Sequence, residues 1–228
     1  MKLPICDITP FTVQDFPNHT ACIMWFGGCN MRCSYCHNPE LVLGKKKRMK
    51  WEEISSFLSK RKGLLDGVVL TGGECTISKN IPEFIEYIRK LDMKVKLDTN
   101  GLYPDVLENL LARKLIDYVA IDYKAPESKF LDITKTSNFN EFHNSLDILC
   151  KSSIDFEVRT TVHTHLLNEN DIAEIIEDLE KLNFKGNYYI QNFQPSPENM
   201  EPTPEQKHLL NLDLLSSTDK FKIHTRNF

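Results

Sequence analysis

No stretch of this chain approaches the roughly 18 consecutive apolar residues that a membrane-spanning helix needs. Its first residues, MKLPICDITPFTVQDF, also lack the apolar centre of an export signal. Neither export nor membrane anchoring is expected, and the cytoplasm is the expected compartment. An excess of positive charge is missing as well. The net charge is −4 over 228 residues, so no overall field gathers nucleic acid or anionic lipid, and neither is expected as a partner. The run KKKR at Lys45 to Arg48 is a local exception and reads as a solvated loop or a docking patch. Internal repeats, low-complexity tracts and a linker long enough to separate a pair of folding units are all absent. Residues 1–228 are therefore read as one domain. Hydrophobic residues make up 41% and charged residues 26%, an ordinary globular balance with enough apolar side chains for a core. The seven cysteines are an odd number, and three of them crowd into one short loop. In a reducing compartment such thiols serve as metal ligands rather than disulfides.

What is present is an alternation. Short β-rich runs fall at Ala21 to Phe26, Gly67 to Thr71, Val95 to Asp98, Tyr118 to Asp122, Phe156 to Val162 and Tyr188 to Phe193. Helical spacing fills the gaps: Trp51, Ile54, Phe57 and Leu58; Ile81, Phe84, Ile85, Ile88 and Leu91; Val106, Leu107, Leu110 and Leu111; Phe139, Phe142, Leu146 and Leu149; Ile172, Ile175, Ile176, Leu179 and Leu182. Strands separated by helices imply right-handed crossovers and a parallel sheet. Six strands are too few for a closed eight-stranded barrel, so an open, partial (β/α)6 barrel is expected, with a flat doubly wound sheet as the other possibility. A helix near Thr203 to Leu215 and a short strand at Phe221 to Thr225 would cap or extend it.

In parallel α/β folds the loops leaving the C-terminal strand ends converge on one mouth. Leaving the six strands in order, the chain reads GGCNMRCSYCHNP, TGGE, DTNG, DYKAP, TTVHTH and QNFQPS. Singly, TGGE and DTNG are turn signals and Asp122 with Lys124 is an ordinary pair. Their shared position at one strand edge, together with three cysteines, points to a site. His163 and His165, two residues apart on an extended segment, could imitate a metal pair but read as loop histidines.

Cys29, Cys33 and Cys36 offer three soft donors where a closed tetrahedral site takes four. Two occupants fit that chemistry. One is zinc, with His37 or Cys75 as a fourth ligand. The other is a [4Fe–4S] cluster with one iron not held by the protein.

The stretch CNMRCSYC, aromatic just before its third cysteine, resembles the CxxxCxxC signature of radical S-adenosylmethionine enzymes, and GGE and DTNG follow where that family has them. The resemblance spans nearly the whole chain. Within the family the chain is similar to the glycyl radical enzyme activases, through QDFPN, GGCNMRCSYCHNP, DTNG and DYK in place of the commoner DLK. It looks most like those serving the anaerobic ribonucleoside-triphosphate reductase. No further CxxC pair lies between Pro39 and Gly67, as in the short activases with one cluster.

The resemblance implies a set of roles. Cys29, Cys33 and Cys36 would hold a [4Fe–4S] cluster whose open iron binds S-adenosylmethionine, which is cleaved reductively to a 5′-deoxyadenosyl radical. Gly72, Gly73 and Glu74 would meet the methionine ammonium, and Lys124 and Arg159 its carboxylate. Tyr35 and His37 would border the adenine. Asp98 and Asp122, with Thr99, would hold a monovalent cation, and Asn100 of the same DTNG turn joins the cofactor-binding set. Two departures stand out. A histidine common after the sixth strand is replaced by NFQPS, which leaves Gln194 or Ser196 for adenine or ribose. The proline common after GGE is replaced by Cys75, read as a bystander thiol. The cofactor carries the radical, so no acid or base residue is expected. The implied partners are an anaerobic ribonucleotide reductase and an electron donor such as flavodoxin. The other readings are an activase of the pyruvate formate-lyase type, a small-molecule enzyme such as a carboxydeazaguanine synthase, and a zinc-binding module without catalysis.

Overall fold

A computed structural model of the protein describes residues 1–195, 200–201, 204–215 and 218–228. The chain forms two compact units, one made of Met1–Asn30, Asn38–Thr99 and Tyr103–Val119, the other of Met31–His37, Asn100–Leu102 and Ala120–Phe228.

In the first unit, β1 (Ile5–Thr12) runs antiparallel to β2 (Ala21–Phe26), and β3 (Gly67–Gly72) and β4 (Lys94–Thr99) follow in parallel. Helices α1 (Pro39–Val42), α2 (Trp51–Arg61), α3 (Ile81–Lys90) and α4 (Pro104–Ala112) lie between and after these strands. The parallel strands read as near-continuous apolar runs because both faces are covered; in β2, Ala21, Cys22, Met24 and Phe26 are all fully buried. Helix α3 buries Ile81, Phe84, Ile85 and Ile88 along one stripe, as its spacing predicts. The parallel register pairs Phe26 with Gly72, so the loops leaving β2 and β3 depart side by side.

Strand β5 (Tyr118–Asp122) begins in the first unit and ends in the second. The second unit continues with α5 (Glu127–Thr134), α6 (Phe139–Lys151), β6 (Asp155–Val162), α7 (Glu169–Lys181), β7 (Asn187–Asn192) and β8 (Lys222–Arg226). Strands β6, β7 and β8 are parallel neighbours. Helix α7 opens on a capping box: Asn168 Oδ1 accepts from the Asn170 and Asp171 amides at 2.9 and 3.2 Å, and Asp171 accepts from the Asn168 amide at 2.7 Å.

The six expected strands and five expected helices are all present, with ends moved by one to a few residues. Three features differ. Strand β1 has no counterpart in the sequence reading, because Pro10 and a broken alternation hide it. It is tolerated as an edge strand with two register shifts. Helices α1 and α5 are also additional. The helix expected near Thr203 to Leu215 is not formed between Pro204 and Asn211, and only the 3-10 turn Leu212–Leu214 appears; Thr203 itself lies outside the described residues. The backbone there bonds outward instead. Pro204 O accepts from His163, His208 O accepts from the Thr164 hydroxyl at 2.7 Å, and the Asn211 amide donates to Glu169 at 2.8 Å.

Candidate cofactor site

The first unit contributes Cys29 and the GGE turn. After β2 the chain turns at Gly28, whose φ of +92° favours glycine. The Gly28 amide donates to Leu41 O at 2.7 Å, which ties the cysteine loop to α1. After β3, the Gly73 amide donates to Phe26 O at 2.7 Å and the Glu74 amide to Gly28 O at 2.8 Å. Backbone is thus stitched to backbone beside Cys29. Any Cβ on Gly73 would overlap the Gly28 carbonyl oxygen, so only glycine permits this approach.

Glu74 is 2% exposed, and its Oε1 accepts from the Thr76 amide at 3.1 Å, the Thr76 hydroxyl at 2.5 Å and the Thr99 hydroxyl at 2.9 Å. Those bonds fix the carboxylate between the ends of β3 and β4. Cys75 is fully buried, and its thiol donates to Asp98 O at 3.5 Å and Leu70 O at 3.8 Å. Burial first, then the Glu74 and Asp98 charges, push this thiol well above its ordinary range, so it sits as a neutral donor. Asp98 itself lies 3.1 Å from the Lys96 ammonium.

The second unit contributes Cys33, Cys36 and a charged cluster. Cys36 N donates to Cys33 O at 3.0 Å, so the two cysteines share one tight turn. The amides of Met200 and Glu201 donate to Cys36 O and Ser34 O at 3.2 and 3.1 Å, pinning a later stretch of the chain onto that turn. Burial pushes the Cys33 thiol up to about 11, against the pull of the Lys124 ammonium. Tyr35 is buried, and its hydroxyl has no hydrogen-bond partner among the described residues. His37 lies tilted against Phe193, ring centres 5.1 Å apart, and burial lowers its pKa.

Asp122, at the end of β5, joins two cations: Lys124 Nζ at 2.9 Å and Arg159 Nε at 2.9 Å. Burial would raise its carboxyl, but Arg159 and then Lys124 overcome that and hold it at about 2. Burial likewise works against the Lys124 ammonium, and Asp122 more than offsets it, raising Lys124 above its ordinary value. Asn100 Oδ1 accepts from the Leu102 amide at 3.1 Å, so this side chain closes its own turn. Gln194 is exposed, and its amide group donates to Asn227 O at 3.5 Å. Ser196 lies outside the described residues.

The expected residues therefore fall into two groups, Cys29, Gly72, Gly73, Glu74 and Asp98 in the first unit and Tyr35, His37, Cys33, Cys36, Asn100, Asp122, Lys124, Arg159 and Gln194 in the second. Among the described residues no three His, Cys, Asp or Glu side chains stand in a ready metal-holding group. None of the three loop cysteines is joined in a disulfide among the described residues. His163 and His165 do not form a metal pair. His163 Nδ1 accepts the His165 amide at 3.2 Å and Nε2 donates to Pro204 O at 3.0 Å, which uses both ring nitrogens. Sequence reasoning passed over Thr76, Lys96 and Phe193. Lys96 had a signal, since in KVKLD the lysine and the aspartate fall on one strand face.

The family model described as the Radical SAM superfamily matches residues 23–182. A protein of Methanocaldococcus jannaschii named "Putative glycyl-radical enzyme activating enzyme" is 32% identical over 240 residues, covering 100% of this chain and 98% of that one. A 7-carboxy-7-deazaguanine synthase of Clostridium acetobutylicum is 35% identical over 131 residues, 54% of this chain and 55% of that one. Among solved structures, Streptococcus suis SuiB bound to S-adenosylmethionine aligns with a TM-score of 0.62 at 14% identity, over 80% of this chain. The match spans 44% of the SuiB chain, and at that identity the likeness is one of fold alone. That fold is the parallel-stranded α/β partial barrel expected from the strand count.

Proposed function

Because this chain belongs to the Radical SAM superfamily, we propose that it is a glycyl radical enzyme activase whose partner is an anaerobic ribonucleotide reductase. Residues 1–228 act as one catalytic domain on this reading. The observation that carries it is the likeness to the Methanocaldococcus jannaschii protein, which runs the full length of both chains. The motifs QDFPN, DTNG and DYK support the choice of reductase.

The residues present fit the two implied groups. Three thiolate-forming side chains on one loop suit an iron–sulfur cluster. The buried Tyr35 hydroxyl, with no protein partner among the described residues, and the close approach enforced at Gly73 suit a bound ligand. Cys29, Cys33 and Cys36 would hold the cluster, and Gly72, Gly73, Glu74, Lys124, Arg159, Tyr35 and His37 the S-adenosylmethionine. Together these groups would supply one-electron reductive cleavage of a sulfonium and the abstraction of a hydrogen atom from a glycine Cα of the partner.

The protein's own contribution is placement. A lysine ammonium has three donors, and Asp122 takes one from Lys124, which orients the rest toward a ligand carboxylate. Glu74, locked by Thr76 and Thr99, presents a fixed negative charge to an ammonium. The electron comes from a small low-potential donor of the flavodoxin kind.

The test is anaerobic. Reduced protein with S-adenosylmethionine should release 5′-deoxyadenosine, read by mass spectrometry. With the reductase added, a glycyl doublet should appear by electron paramagnetic resonance. Absence of 5′-deoxyadenosine would remove the radical reading altogether. A second reading, radical chemistry on a small molecule, is supported by the 35% likeness to the deazaguanine synthase. It is favoured if 5′-deoxyadenosine forms but no reductase or other glycyl radical enzyme yields a doublet.

A further inference from the structure

Lys96 sits on β4 with only 3% of its surface exposed. Strand alternation places it on the same face as Asp98, with Val95 and Leu97 on the other. Its ammonium donates to Asp15 O at 2.6 Å, lies 3.1 Å from Asp98 Oδ1 and stands 5.8 Å from the centre of the Tyr118 ring. A buried charge persists only when it is paired and hydrogen-bonded, and here a carbonyl, a carboxylate and an aromatic face surround it. Oxygen ligands and a π face are also what an alkali ion would take.

The resemblance implied a monovalent cation on Asp98 and Asp122 beside Thr99, and the residues do not fit one. Asp98 carries the Lys96 ammonium, and Asp122 is held by Arg159 and Lys124, so both carboxylates already have cationic partners. We infer that Lys96 takes the place of an alkali ion beside Asp98, so that the protein needs none there. Lys96 is a positioning residue: it holds Asp98 and, through it, the start of the DTNG turn. The inference about cofactor binding rests on the function proposed above, whereas the claim about the folded protein does not.

The test takes anaerobically purified protein carrying its cluster, in choline, lithium, sodium or potassium chloride at one ionic strength. The thermal midpoint without S-adenosylmethionine and the equilibrium binding of S-adenosylmethionine are both measured. The unaltered protein should give the same values in all four salts. Lys96→Ala should bind S-adenosylmethionine roughly tenfold more weakly in choline, with a lower midpoint, and sodium or potassium should restore much of both losses. A purely structural lysine would not show recovery that discriminates choline from potassium. An unaltered protein that weakens in choline would overturn the inference, and so would losses in Lys96→Ala that no alkali ion repairs. Should Lys96→Ala fail to fold, the salt series on the unaltered protein decides the matter. If S-adenosylmethionine binds in no salt, the proposed function fails while the ligand-free midpoints still judge Lys96.

Discussion

The closest constraint on any side chain is at Gly73. Its neighbour in space is the Gly28 carbonyl, one residue before Cys29, and a methyl group there must push the cysteine loop away from the GGE turn. Gly73→Ala is expected to cost about 1–3 kcal/mol by urea unfolding, the range for overpacking, and to weaken S-adenosylmethionine binding in calorimetry. Among the cysteines the expected pattern is selective. Cys29→Ala, Cys33→Ala and Cys36→Ala should each abolish the broad absorbance near ~400 nm of the reconstituted protein. Cys75→Ala should keep it, because that thiol serves as a neutral donor to two carbonyls between β3 and β4. Loss of the band in Cys75→Ala would instead make Cys75 a fourth ligand of the cluster, leaving no iron open for S-adenosylmethionine.

At the level of elements, the helices stabilise the strand ends they follow. Phe84 on α3 is fully buried against Phe26 of β2, ring centres 6.3 Å apart. Phe84→Ala should therefore destabilise by about 3–5 kcal/mol in urea titration. Asn168→Ala removes one half of the capping box at the start of α7 and should cost about 1 kcal/mol, with a small fall in helical circular dichroism. Most of these elements could be read from the chain, because apolar residues recur at 3.6-residue spacing in α3, α6 and α7 and run unbroken through β2 and from Val68 to Leu70 of β3. Strand β1 was hidden because Pro10 and Asp7 interrupt its pattern, and its partner residues lie on β2, about ten to twenty positions away. The expected C-terminal helix failed for a related reason. Its carbonyls are claimed by His163 and Thr164, residues some forty positions earlier, and no local pattern reports that competition.

For the molecule as a whole, the Asp122 group sets an acid limit. Its carboxyl lies near 2 in the folded state against 3.8 unperturbed, so its stabilisation is complete above about pH 4 and is lost as pH falls toward 2. At about 1.4 kcal/mol per unit, that is on the order of 2 kcal/mol. Lys124 is raised in the folded state, so its share is complete below its unfolded value of 10.5 and is lost only as pH rises through the higher folded value. Unfolding free energy measured in urea should therefore be nearly flat between about pH 4 and pH 10 as far as this group is concerned, then fall on the acid side. Arg159→Met should flatten the acid limb, since the carboxyl loses its strongest opposing charge.

The sequence by itself determined the parallel α/β class, the strand-end loops and the three-cysteine signature, because periodicity and ligand spacing are local properties of a chain. Only the folded structure decided that the buried Lys96 ammonium meets Asp98 and the Asp15 carbonyl, that Gly73 meets Gly28, and that His163 spends both ring nitrogens on the backbone. Each of those depends on which distant atoms a buried polar group finds once water is gone, and that is settled by packing rather than by neighbours in the chain.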